Sequence, residues 1–122
     1  MYKIRFYKDK SGNKPVLDYL RELVSKTDKN SRIKANKIRE YIKILKEYGT
    51  LAGEPYIKHI EGDIWELRPL RDRIFFVEWT GESFLFISQF MKKTQKTPKK
   101  EIEKAKRLLN EYRERSKKGD GK

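Results

Sequence analysis

The chain has no cysteine, so no disulfide can staple it and no thiolate can hold a metal. It has one histidine, His59, and no Asp-x-Asp pair, no His-Glu-x-x-His and no Cys/His cluster. The donor set of a two-metal nuclease is therefore missing, and no resident metal or cofactor is expected. Nothing resembles a glycine-rich phosphate loop or a Ser/His/Asp set. No apolar run approaches the roughly 18 residues needed to span a membrane. The opening Met1-Tyr2-Lys3-Ile4-Arg5 has no apolar secretion segment. Secretion and membrane spanning are not expected, and the expectation is a cytoplasmic protein. Carboxylates are scarce where acid–base chemistry would need them: Glu61, Asp63 and Glu66 are close in sequence, but Asp63 and Glu66 are expected to point to opposite faces of a strand.

What is abundant is positive charge. The 122 residues carry 31 Lys and Arg against 18 Asp and Glu, a net charge of +13. The last 35 residues hold 13 of those cations and 5 of the acids. Charge of this sign attracts polyanions, because each neutralised phosphate releases condensed counterions. Nucleic acid is the first candidate partner, an anionic membrane surface the second, an acidic protein the third. The length suits one domain with a modest core, expected over residues 1–115, with a disordered basic tail at 116–122.

Periodicity supplies the elements. Tyr2, Ile4 and Phe6 alternate with Lys3 and Arg5, which is strand period. Pro15 suits the first turn of a helix, and Val16, Leu17, Leu20, Leu23 and Val24 follow on one face to about Lys26. Thr27, Asp28, Asn30 and Ser31 offer caps for a second helix, whose stripe is Ile38, Tyr41, Ile42, Leu45 and Tyr48. Gly49 sits where a positive φ ends it. Ile64 to Arg68, Arg73 to Trp79 and Phe84 to Phe90 then form three strands joined by hairpin-length gaps, an antiparallel meander. Both faces of the middle strand are apolar. Thr97-Pro98 reads as a capping residue followed by proline at the first helical position. Ile102, Ala105, Leu108, Leu109 and Tyr112 stripe a third helix. The expected fold is α+β, in the order β-α-α-β-β-β-α.

Three constellations carry chemistry. Between Ser88 and Lys100 stand five lysines and no acid. That loop is either a solvated connection or, given the strand end before it and arginines on neighbouring strands, a phosphate site. Arg68 and Arg73 flank a turn, so both guanidinium groups can reach one end of the sheet, where the planar fork suits phosphate. The competing reading is a pair of salt bridges to Glu66 and Asp72. His59, beside Lys58 near a strand start, is either a packing residue or a base near neutral pH.

The stretches Ile57-Lys58-His59-Ile60, Ile64-Trp65-Glu66-Leu67-Arg68, Arg73-Ile74-Phe75-Phe76 and Phe90-Met91-Lys92-Lys93-Thr94-Gln95-Lys96-Thr97-Pro98, then Glu101 and Ala105, resemble the phage-derived HigB-like branch of the RelE superfamily. The resemblance covers nearly the whole chain. It implies a RelE-like fold: a small, mainly antiparallel sheet with two N-terminal helices and one C-terminal helix. It implies a type II toxin that cleaves translated mRNA on the ribosome without metal, partnered by a HigA-like helix-turn-helix antitoxin. Operator DNA would be bound only by the toxin–antitoxin complex. It carries over Arg68, Arg73 and the pair Lys92-Lys93. The needs of 2′-hydroxyl attack, a base, an acid and cations for the phosphorane, then make Arg68, Arg73, Lys93, Lys58 and His59 the catalytic candidates and Lys92, Lys96 and Arg71 the RNA contacts. Two other classes stay open: a non-catalytic RNA- or DNA-binding module of phage origin, and a structural phage protein whose charge aids assembly.

Overall fold

Alternating apolar positions in the middle of the chain pair into hairpins, and helices close over both faces of the resulting sheet. The computed structural model describes residues 1–118. Its elements are β1 (Lys3–Phe6), α1 (Pro15–Ser25), α2 (Lys29–Tyr48), a short 3-10 turn (Gly49–Ala52), β2 (Ile57–Glu61), β3 (Ile64–Leu67), β4 (Asp72–Thr80), β5 (Ser83–Met91) and α3 (Lys99–Lys117). The strands form one sheet in the order β1-β5-β4-β3-β2, with only β1 and β5 running parallel. This is the expected α+β class, with the β3-β4-β5 meander in place.

The strand count differs from expectation by one. β2 was not legible as a strand because its residues Lys58, His59 and Glu61 are exposed. It is an edge strand bonded only to β3, a place where charged side chains blunt the open edge. A tight turn at Gly62, whose φ is +54°, returns the chain into β3.

The helices divide the core in two. Leu67, Ile74, Phe76, Phe84 and Phe86 pack under α1 and α2, while Ile64, Phe75, Val77, Leu85 and Ile87 pack under α3. A bulge makes this division possible: Phe75 pairs with Ser88 and Phe76 with Phe86, leaving Ile87 as the extra residue of β5. Phe75, Phe76, Phe84 and Phe86 are fully buried, and each contributes roughly 1.5–3 kcal/mol of transfer free energy.

Local signals hold for α1 and α2. Pro15 opens α1, and the Asp28 carboxylate caps α2 by accepting from the Ser31 N–H at 3.0 Å. Gly49 ends α2 at φ +60°, and a Cβ there would stand 2.7 Å from the Tyr2 ring. Two stripe residues lie outside the core: Val24 and Tyr48 are each 58 % exposed. At α3 the expected cap is absent. Pro98, not Thr97, flanks the first turn, and the Thr97 hydroxyl is engaged elsewhere. α3 runs through Ser116 and Lys117, the first residues of the expected tail. Residues 119–122 of that tail lie outside the described residues.

Candidate functional site

The site begins with a short turn. After β3, Arg68 continues the pairing, donating its backbone N–H to the Tyr56 carbonyl at 2.9 Å. Residues 69–72 then reverse the chain, closed by the Asp72 N–H on the Pro69 carbonyl at 3.1 Å. Leu70 at the tip takes φ +56°, a left-handed conformation that non-glycine residues seldom adopt. Arg73 holds this turn from beneath: its Nη1 donates to the Leu70 carbonyl at 2.8 Å and to the Asp72 carbonyl at 2.9 Å.

Two residues before Arg68 on the same face of the strand is Glu66, fully buried. Its Oε1 lies 3.4 Å from Arg68 Nε and 3.7 Å from Arg73 Nε. Its Oε2 accepts from the Thr97 hydroxyl at 3.0 Å. One carboxylate thus gathers two guanidinium groups and the end of the basic loop. Neither Nε makes a hydrogen bond, so the attraction within the cluster is one of charge. The Arg73 side chain is 8 % exposed and that of Arg68 22 %. Burial lowers the Arg73 pKa, and the charge of Glu66 opposes the shift. A guanidinium keeps its charge under such conditions.

In front of Arg73 opens a cleft of about 470 Å³, lined by Leu70, Arg71 and Arg73 on one side and by Lys92, Lys93, Thr94 and Gln95 on the other. The Lys92 N–H donates to the Arg71 carbonyl at 2.8 Å, which fixes the two walls to each other. Behind the turn, buried Asp72 accepts from Tyr19 of α1 at 2.6 Å and from Gln89 of β5 at 2.9 Å, with Lys34 of α2 at 3.7 Å. Burial first, then the Asp72 hydrogen bond, raises the Tyr19 pKa. The turn is therefore anchored to both helices of one layer as well as to the sheet.

The structure brings together Arg68 and Arg73 on Glu66, and Arg71, Lys92 and Lys93 with Arg73 around the cleft. Lys58 pairs in register with Glu66, so its side chain leaves the same sheet face one strand further out. Lys96 is exposed on the loop and does not line the cleft. His59 is not brought in. It pairs with Trp65, whose ring packs with the α1/α2 core and stands 5.1 Å from the His59 ring, so the imidazole lies on the opposite face. Its Nε2 is 2.8 Å from the Gly62 carbonyl. The alternative of two salt bridges is half met: Glu66 pairs with both arginines, while Asp72 pairs with Lys34.

Sequence reasoning had not given Glu66 a central place, nor Thr97, Leu70 and the Tyr19–Asp72–Gln89 network. The signal for Glu66 was present: an acid two residues before an arginine, in a strand whose other residues are apolar. Among the described residues, no three His, Asp or Glu side chains converge as metal ligands. No helix of the described residues is long and apolar enough to cross a membrane.

The profile of a family described as phage derived protein Gp49-like matches residues 19–110. The chain belongs to this family. No curated protein matches it. The matched span of this Gp49-like chain runs from within α1 to within α3, and includes Glu66, Arg68, Arg73 and the whole lysine loop. It also includes Tyr19 and Lys34, which support Asp72 from behind.

Proposed function

We propose that this Gp49-like protein is the toxin of a type II toxin–antitoxin pair, an endoribonuclease that cleaves mRNA on the ribosome and so arrests translation. The observation that carries the reading is Arg73, buried against Glu66 yet facing a cleft walled by Arg71, Lys92 and Lys93. A surface that only binds polyanions needs a patch of cations. It does not need an arginine fixed from behind by a buried carboxylate and two carbonyls.

In the reaction, the 2′-oxygen of one nucleotide bonds to the adjacent phosphorus and the bond from phosphorus to the 5′-oxygen breaks. A base takes the 2′-hydroxyl proton and an acid delivers one to the departing 5′-oxygen. Negative charge grows on the phosphorane oxygens between these events. Arg73 and Arg68 stabilise that charge, at a site already organised before the RNA arrives. Lys93 on the cleft and Lys58 on the same sheet face serve proton transfer; His59, on the other face, does not. Lys92 and Arg71 hold the flanking phosphates, and Lys96 adds a more distant RNA contact. The partner that neutralises the toxin is a helix-turn-helix antitoxin, and operator DNA is bound by the pair.

The test is induction of the chain alone in a bacterium, with and without its neighbouring reading frame, and mapping of mRNA 5′ ends. Growth arrest, relief by the neighbour, and cut ends carrying a 2′,3′-cyclic or 3′-phosphate support the reading. Normal growth and intact mRNA, with folded protein confirmed, overturn it. Ends with a 3′-hydroxyl and a 5′-phosphate would instead assign the cut to activated water.

A further inference from the structure

On the layer of α1 and α2, away from the cleft, the two helices leave an apolar groove between them. Leu20, Leu23 and Val24 of α1 face Ala35, Ile38 and Ile42 of α2 across it. Leu23, Ala35 and Ile38 form its buried floor, while Val24 stands on its lip, more than half exposed. The polar member of the lining is Arg39. Arg32 and Lys43 lie seven residues before and four after Arg39, which places all three along one line of α2 beside the groove. Arg21 is next to Leu20 and one turn before Val24 on the facing helix. All four cations are exposed, and among the described residues none forms an ion pair. Arg39 reaches only the neutral Asn36 side chain, at 3.1 Å.

We propose that this groove docks an acidic amphipathic helix of a partner protein. Aliphatic residues at helical spacing would fill the groove, and carboxylates on either side of that stripe would meet Arg21 on one rim and Arg32, Arg39 and Lys43 on the other. The charge of the rim selects among occupants. A second copy of this chain would bring like rims together on molecules of net charge +13. The segment Gly119-Asp120-Gly121-Lys122 holds no apolar side chain to fill the groove. A nucleic acid has no aliphatic ridge to bury there. The inference is independent of the activity assigned to the cleft, because none of the groove residues lines it.

The probe is a labelled synthetic helix of about 18 residues, with leucines on one face and glutamates flanking them. Its partner control has each glutamate replaced by lysine. Fluorescence anisotropy with the intact protein should show saturable binding of the acidic peptide and none of the lysine peptide. Val24→Glu, which blocks the lip, and Arg39→Glu, which reverses the rim, should each weaken binding about tenfold or more. Lys93→Ala in the cleft should leave the affinity unchanged. Both groove substitutions are at exposed positions, and circular dichroism melts confirm folding. Equal binding of the two peptides, no binding of the acidic one, or affinity lost only in Lys93→Ala would overturn the proposal. So would phosphatidylserine vesicles that bind the native chain and not Val24→Glu while the acidic peptide does not bind, which would assign the face to a membrane surface.

Discussion

Glu66→Gln removes the one charge that two guanidinium groups share. At separations of 3.4 and 3.7 Å and an effective dielectric near 20, each attraction is roughly 4–5 kcal/mol before desolvation. Burying the carboxylate and Arg73 offsets much of that gain, so the intact cluster is expected to add little net stability. Removing only the acid is a different matter. Arg73 stays buried, and its charge then faces that of Arg68 with no carboxylate between them. Losing one member of a buried pair costs about 3–5 kcal/mol. Glutamine keeps an oxygen for the Thr97 hydroxyl, and Arg68 retains some contact with water, so the expected loss is at the lower end, about 3 kcal/mol. For a chain of this size that is a fall in Tm of roughly 10–15 °C. Urea melts followed by the fluorescence of Trp65 and Trp79 measure it. A double-mutant cycle with Arg73→Met then isolates the pair: the double variant should be more stable than the sum of the single losses predicts, by about 1 kcal/mol or more. A Glu66→Gln variant within about 0.5 kcal/mol of native, or an additive cycle, would show that the cluster does not hold Arg73.

Other consequences are as direct. Arg73→Ala should lower mRNA cleavage by about 10²–10³-fold with ribosome co-sedimentation retained, whereas Lys96→Ala should weaken attachment in a way that lower salt restores; cleavage untouched in both Arg73→Ala and Lys93→Ala would reduce the cleft to a docking surface. Gly49→Ala places a Cβ against the Tyr2 ring at a φ of +60°, and should cost about 2–3 kcal/mol in a urea melt; an unchanged midpoint would mean that the α2 terminus relaxes freely. The Ser31 hydrogen bonds, side chain first and backbone second, hold the Asp28 carboxyl below its ordinary value of 3.8. A depressed folded value means that the cap stabilises fully above that ordinary value and is lost as pH falls through the folded one. The Tm gap between native and Asp28→Ala should thus be constant at pH values well above that ordinary value and narrow as the pH falls below it, and a gap that persists in acid would refute the cap's charge dependence.

The sequence by itself determined the local elements and the sign of the surface. Pro15 and Gly49 mark helix ends through their own backbone restrictions, and the alternation along β4 and β5 demands a strand with both faces covered. The lysine loop and the arginines about the turn were legible as a cationic end of the sheet, because charge and hairpin length are read along the chain. What the tertiary structure decided is which of those charges meet. The register of β2 on β3 sends Lys58 to the face of Glu66 and His59 to the other, and a shift of one residue would exchange them. Thr97 has the residue type of a helix cap, yet a buried carboxylate 31 residues earlier takes its hydroxyl. β2 itself is too polar to be read as a strand alone, and becomes one because β3 offers it an open edge. Glu66 is the plainest case. Its burial, its two arginines and its threonine come from three separate segments, and only the packing of strand, turn and loop brings their charges within 4 Å.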